Sequence, residues 1–192
     1  MDSAKAYEIH AQNYLISRDQ SNIGADIIER WSRTLNNGAM ILELACGGGY
    51  PITSILQNAG LKIWAMDSSP TLISEFKIRF PMIPVQCAKV QECDFFGQKY
   101  DAILAIGLIF LLSEADQLNL ITRISSILKV RGRFMFTAPI EKGEWKDLIT
   151  GLTCKSLGIE IYEKQLIEAG FQICSTFVDQ GGNNYYDVER IN

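Results

Sequence analysis

Met40-Ile41-Leu42-Glu43-Leu44-Ala45-Cys46-Gly47-Gly48-Gly49 is an apolar run that carries one acid and ends in three consecutive glycines. A run this short and this apolar reads as a strand buried on both faces, and the glycines read as a tight turn in which backbone can approach a ligand closely. Pro51 to Asn58 reads as the helix that follows, with Pro51 accommodated in its first turn and Asn58-Ala59-Gly60 closing it. A buried strand that passes through a glycine turn into a helix is the opening unit of a parallel α/β sheet.

Downstream the rhythm repeats. Strands are expected at Lys62 to Met66, Ile83 to Cys87, Ala102 to Ile106 and Arg133 to Ala138, with helices at Pro70 to Arg79 and Glu114 to Leu128. A helix around Ile161 to Ala169 leads to strand Phe171 to Val178, and Gly181-Gly182-Asn183 turns it into a last strand, Tyr185 to Arg190. The fold class is therefore α/β, a three-layer sandwich around a mostly parallel seven-stranded sheet with a C-terminal antiparallel hairpin. Upstream, Ala4 to Ile16 and Ile23 to Leu35 have helical character. The 192 residues fit a single domain, residues 1–192, in which 1–36 form a helical lid region.

Composition removes several classes of function. Eighteen Lys and Arg against 22 Asp and Glu give a net charge of -4, so no global basic field recruits nucleic acid. The longest near-continuous apolar run, Ala102 to Leu112, is far below the roughly 20 residues that span a bilayer, and no membrane association is expected. The start, MDSAKAYEIHAQNY, has no basic segment followed by an apolar block, so a secretory signal is not expected. Five cysteines without a C-x-x-C spacing fit a reducing cytoplasm. His10 is the sole histidine, which excludes a zinc site with two His ligands and leaves no other residue for a Ser-His-Asp triad.

Ligands of open parallel sheets bind beyond the carboxyl ends of the strands where the strand order reverses, so the glycine turn is the leading site. Asp67 follows Gly47 by 20 residues and stands at the tip of the neighbouring strand, where a carboxylate can accept from both hydroxyls of a ribose. Two nucleoside cofactors use that arrangement. A dinucleotide needs G-x-G-x-x-G against a helix N-terminus, but Ile52 occupies the third glycine position and Pro51 removes a donor. S-adenosylmethionine has no phosphate and needs only close backbone and a nearby acid, which Glu43 supplies.

Four segments in order then carry a resemblance. Ile41 to Gly49 resembles the first motif of the class I S-adenosylmethionine-dependent methyltransferases, and Trp64-Ala65-Met66-Asp67-Ser68-Ser69-Pro70 resembles their second. Lys99-Tyr100-Asp101-Ala102-Ile103-Leu104-Ala105 is similar to the fourth-strand motif, and Leu128-Lys129-Val130-Arg131-Gly132-Arg133 to the turn before the fifth strand. The resemblance spans about Gly38 to Arg190 and implies a Rossmann-like methyltransferase fold, an enzyme, and S-adenosylmethionine as cofactor. It places Glu43 and the backbone of Ala45, Cys46, Gly47 and Gly49 around the methionine part, with Ala45, in the place of the first motif glycine, tolerated as extended backbone. It puts Asp67 on the ribose, Met66 and Ser68 flanking the adenosine, Ala88 and Lys89 along the adenine, and Ile106 and Gly107 beneath the sulfonium.

Methyl transfer draws its electrophile from the cofactor, so the protein mainly positions and desolvates, and a base is optional. Tyr7, His10, Tyr14 and Arg18 follow at spacings of 3, 4 and 4, which on one helix gives a shared face able to close over the cofactor. Against this, the tyrosines read equally as packing residues and His10 as a surface histidine. Trp145, after the fifth parallel strand, reads either as a wall of the acceptor pocket or as core. Asp179 to Asn183 reads as turn chemistry, with Tyr185 and Tyr186 open to either role, and Cys46 as a small buried residue rather than a nucleophile. The expected partner is a small-molecule methyl acceptor. The competing readings are a nicotinamide-dependent oxidoreductase and a non-catalytic S-adenosylmethionine-binding module.

Overall fold

A computed structural model describes residues 2–192. Three helices come first, α1 (Ser3–Ile9), α2 (Ala11–Asp19) and α3 (Ala25–Ser32). The alternating part follows as β1 (Met40–Leu44), α4 (Ile52–Asn58), β2 (Lys62–Asp67), α5 (Pro70–Arg79), β3 (Val85–Cys87), β4 (Tyr100–Ala105), α6 (Glu114–Ile127) and β5 (Leu128–Thr137). A separate hairpin of β6 (Gly143–Lys146) and β7 (Thr153–Ser156) precedes α7 (Ile159–Glu168), β8 (Phe171–Val178) and β9 (Asn184–Arg190).

The main sheet has seven strands in the order β3-β2-β1-β4-β5-β9-β8. β1 to β5 run parallel, and β9 lies antiparallel between β5 and β8, as the sequence led us to expect. β1 is buried on both faces. Leu42 and Leu44 pack into a cluster with Met66, Ile103 and Phe134, while Ile41 packs into a second with Ile28, Trp31 and Leu56. Each such leucine contributes roughly 1.5–3 kcal/mol by leaving water. Because β1 has β2 on one side and β4 on the other, the glycine turn stands at the point where strand order reverses.

Four expectations need correction. The helix read as Ala4 to Ile16 is two helices: His10 leaves helical geometry at φ −103° and ψ 12°, capping α1 and opening α2. The bend lets each piece dock separately on α5, Glu8 accepting from Thr71 Oγ1 at 2.7 Å and Asp19 from Arg79 through both guanidinium NH groups at 2.7 Å. The fifth parallel strand begins at Leu128 rather than Arg133, because a bulge sets 128 opposite Tyr100 and 133 opposite Ala102. The third strand is shorter than read, starting at Val85. The β6–β7 hairpin was not expected at all. β6 is mostly exposed, and the buried positions of β7 are Cys154 and Ser156, so neither strand shows an apolar alternation to read. No helix of the described residues is long and apolar enough to cross a membrane.

Candidate functional site

Two chambers open side by side at the carboxyl ends of the parallel strands. The first, about 190 Å³, is lined by Glu43, Cys46, Arg18, Thr137, Asn183 and Tyr185. The second, about 180 Å³, is lined by Asp67, Ser68, Tyr7, Leu108, Leu111 and Asp147. Tyr14, Ala45, Ile106, Gly107 and Phe110 line both, so the two form one bent cleft with a shared waist. A shallower depression lined by Asp2, Lys89 and Val90 continues from the second chamber through Ser68 and Leu108.

The acids of the two chambers are differently held. Glu43 accepts from the Thr53 hydroxyl at 2.6 Å, and burial pushes its carboxyl up to about 8 against that hydrogen bond. Asp67 accepts from Gly47 N–H and Ser69 N–H, each at 2.9 Å, which fastens the glycine turn to the tip of β2. Burial raises its carboxyl from the ordinary value while those amides oppose the shift. Each of its oxygens keeps a lone pair for a further donor. Gly107 N–H donates to Thr137 Oγ1 at 2.8 Å, linking the ends of β4 and β5 at the waist.

The glycine turn is tightly covered. A Cβ on Gly47 would lie 2.9 Å from the Tyr14 ring, and one on Gly49 would lie 2.4 Å from the Phe80 ring, so neither position admits a side chain. Gly47 and Gly49 also take φ of 56° and 85°. Ala45 is left-handed at φ 55°, not extended as expected. An L-residue pays roughly 1–2 kcal/mol for that region, and its methyl stands between the two chambers.

The sequence-derived residues divide as follows. Glu43, Ala45, Cys46, Asp67, Ser68, Ile106 and Gly107 line the chambers. Met66 does not: it is buried in the core against Cys93. Ala88 packs on that core as well, and it is Lys89 with Val90 that reaches the depression, Lys89 pairing with Asp2 at 2.5 Å. Gly49 faces Phe76 and Phe80 of α5 and serves packing there. Tyr14 and Arg18 reach the cleft, but His10, displaced by the bend, lines neither chamber. Trp145 stands one layer back, its ring 5.4 Å from that of Phe110, which lines both chambers. Cys46 is buried and its thiol is pushed well up, as suits a packing residue.

Residues that the sequence left open between pocket and core are now placed, and Asp147 was missed. Tyr185 lines the first chamber and donates to Asp179 at 2.9 Å, whereas Tyr186 turns to the core and stacks on Phe136. Asp179 itself accepts from Gly181 and Asn183 in the turn, as read. Phe110 lies in an apolar run whose core and pocket sides look alike in sequence. Asp147 opens the hairpin turn, and the Asp147-x-x-Thr150-Gly151 pattern is a turn signal that could have located it.

Residues 41–132 match a family model described as a methyltransferase domain. No curated protein matches the chain. Among solved structures, a S-adenosylmethionine-dependent methyltransferase from Clostridium acetobutylicum is 18% identical with a TM-score of 0.71, over 96% of this chain and 98% of that one. The methyltransferase in complex with the Haloferax volcanii Trm112 activator is 13% identical with a TM-score of 0.78, over 100% of this chain and 99% of that one. The magnesium protoporphyrin IX methyltransferase of Synechocystis, with S-adenosylmethionine bound, is 15% identical with a TM-score of 0.69, over 86% of this chain and 77% of that one. At such identities these likenesses speak to the fold. Joined to the domain matched over residues 41–132, and to the first three motifs, which border one cleft while 128–133 lies apart from it, they give the chain a methyltransferase domain with the fold of the class I S-adenosylmethionine-dependent methyltransferases.

Proposed function

We propose that this methyltransferase alkylates a small molecule that enters the bent cleft beside the cofactor. The observation that carries the reading is the waist: Ala45, Ile106 and Gly107 join a chamber holding Asp67 to a chamber holding Glu43. Those residues fit S-adenosylmethionine. Asp67 has lone pairs to spare for two ribose hydroxyls, Ser68 and Lys89 border the place for the base, and the protonated Glu43 carboxyl and the Arg18 cation face the place for an amino-acid end. The cofactor supplies the electrophilic methyl group. Residues 2–36 then act as the lid of a single domain, and their Tyr14 excludes water from the waist. The five free thiols and the acidic balance agree with a reducing cytoplasm and with an acceptor other than nucleic acid.

Isothermal calorimetry with S-adenosylhomocysteine tests the site. Asp67→Ala should lower its affinity at least tenfold, since charge-assisted hydrogen bonds of about 1.5–3 kcal/mol are lost, while circular dichroism stays native. Unchanged affinity would remove the ribose role from Asp67.

A further inference from the structure

The second chamber takes one wall from the turn of the β6–β7 hairpin, where Asp147 stands. Its two oxygens are used unequally. Oδ1 is consumed by the turn, accepting from Thr150 Oγ1 at 2.6 Å, Thr150 N–H at 2.7 Å and Ile149 N–H at 3.2 Å. Oδ2 takes one donor, the Tyr7 phenol, across a longer 3.2 Å. Two aromatic pairs meet around it: Tyr7 and Tyr14 edge to face at 5.7 Å, and Phe110 on Trp145. Tyr7, Tyr14 and Phe110 all line the chamber. Among the described residues, the charged ones of this lining are Asp67 and Asp147, both acids, while Arg18 belongs to the first chamber. A rigidly held carboxylate with one under-used oxygen among aromatic rings selects an organic cation and disfavours an anion.

We infer that the acceptor is an amine, docked as its ammonium on Asp147 Oδ2 and the surrounding rings and methylated on nitrogen. The inference rests on the methyl-transfer reading above and narrows it to one acceptor class. Asp147 Oδ2 receives a proton from the ammonium and passes it to water, which frees the nitrogen lone pair. That lone pair forms the N–C bond as the C–S bond of the donor breaks. The C–S electron pair remains on sulfur, and the positive charge passes from sulfur to nitrogen, where loss of a proton restores a neutral amine. Tyr7 holds Asp147 Oδ2 in place and is a positioning residue.

The test uses the full chain saturated with S-adenosylhomocysteine and, as probe, benzyltrimethylammonium, a fixed cation that cannot be methylated further. The probe should bind, and Asp147→Asn should weaken it about tenfold or more, as loss of a charge-assisted contact requires, with S-adenosylhomocysteine affinity unchanged. In parallel, labelled methyl transfer from S-adenosylmethionine is measured to 2-phenylethylamine, 2-phenylethanol and 3-phenylpropanoate, and the amine alone should be labelled. Failure of the probe to bind, insensitivity to Asp147→Asn, no label on the amine, or label on the alcohol or carboxylate overturns the amine class and leaves the methyltransferase standing. If wild type does not bind S-adenosylhomocysteine, the underlying reading fails instead.

Discussion

Glu43 is a carboxyl that folding removes from water without giving it a cation within bonding distance. Its ordinary value of 4.5 is raised to about 8, so between those pH values the native protein holds a proton that the unfolded chain has released. The sign follows: Glu43 is neutral in both states below about 4.5, stability drains away as pH climbs towards 8, and the loss is complete above it. Glu43→Gln removes the titration and keeps a group able to bond Thr53. Melting curves from pH 4.5 to 9 should converge at the acid end and separate at the alkaline end with the variant higher, by about 2–4 °C for each kcal/mol. Parallel curves would show that burial does not raise this carboxyl. Ala45 shows a different limit of sequence reading. Its place in the motif was legible, but its left-handed backbone was not, because an alanine carries no mark of positive φ.

The two N-terminal helices are held from outside themselves. Neither α1 nor α2 has the length to be stable alone, and both are fastened to α5: Glu8 at its start through Ser69 and Thr71, Asp19 at its end through Arg79. This explains why the helical period of Ala4 to Ile16 was visible while the break at His10 was not, since the break answers to contacts 60 or more residues away. The same holds for the β6–β7 hairpin, which gains its order by lying on the loop after β4 rather than from any pattern of its own. Strands β1, β2 and β4 were legible because double-sided burial writes itself as an apolar run. Arg79→Ala should release the far end of α2. The ion pairs it removes are partly exposed and worth about 0.2–1 kcal/mol each, so the melting temperature should fall by only a few degrees. Stopped-flow displacement of S-adenosylhomocysteine should nevertheless quicken severalfold; an unchanged off-rate would mean that α2 is not what retains the ligand.

The sheet assembles the site from distant parts of the chain. Glu43, Asp67, Gly107 and Thr137 come from the ends of four parallel strands, and Tyr185 from β9 inserted beside β5. A ligand that touches all of them ties these strand ends together, so binding and global stability are linked. S-adenosylhomocysteine at 100 times its Kd should add about 2.7 kcal/mol and raise the melting temperature by about 5–10 °C, whereas NADH should leave it unmoved. A rise with the dinucleotide instead would contradict S-adenosylmethionine as the cofactor.

Tyr14 crosses the waist with its ring against Gly47, and burial pushes its phenol up to about 12, so it stays neutral there at any physiological pH. A molecule reaching from Asp67 to Glu43 would pass the Tyr14 ring, which lines both chambers. Were α2 a gate there, release of the spent donor would await its opening, and turnover would keep the time of a hinge rather than of bond exchange. Thickening the solvent with glycerol should slow such a cycle, where a reaction limited by methyl transfer would run on unaffected.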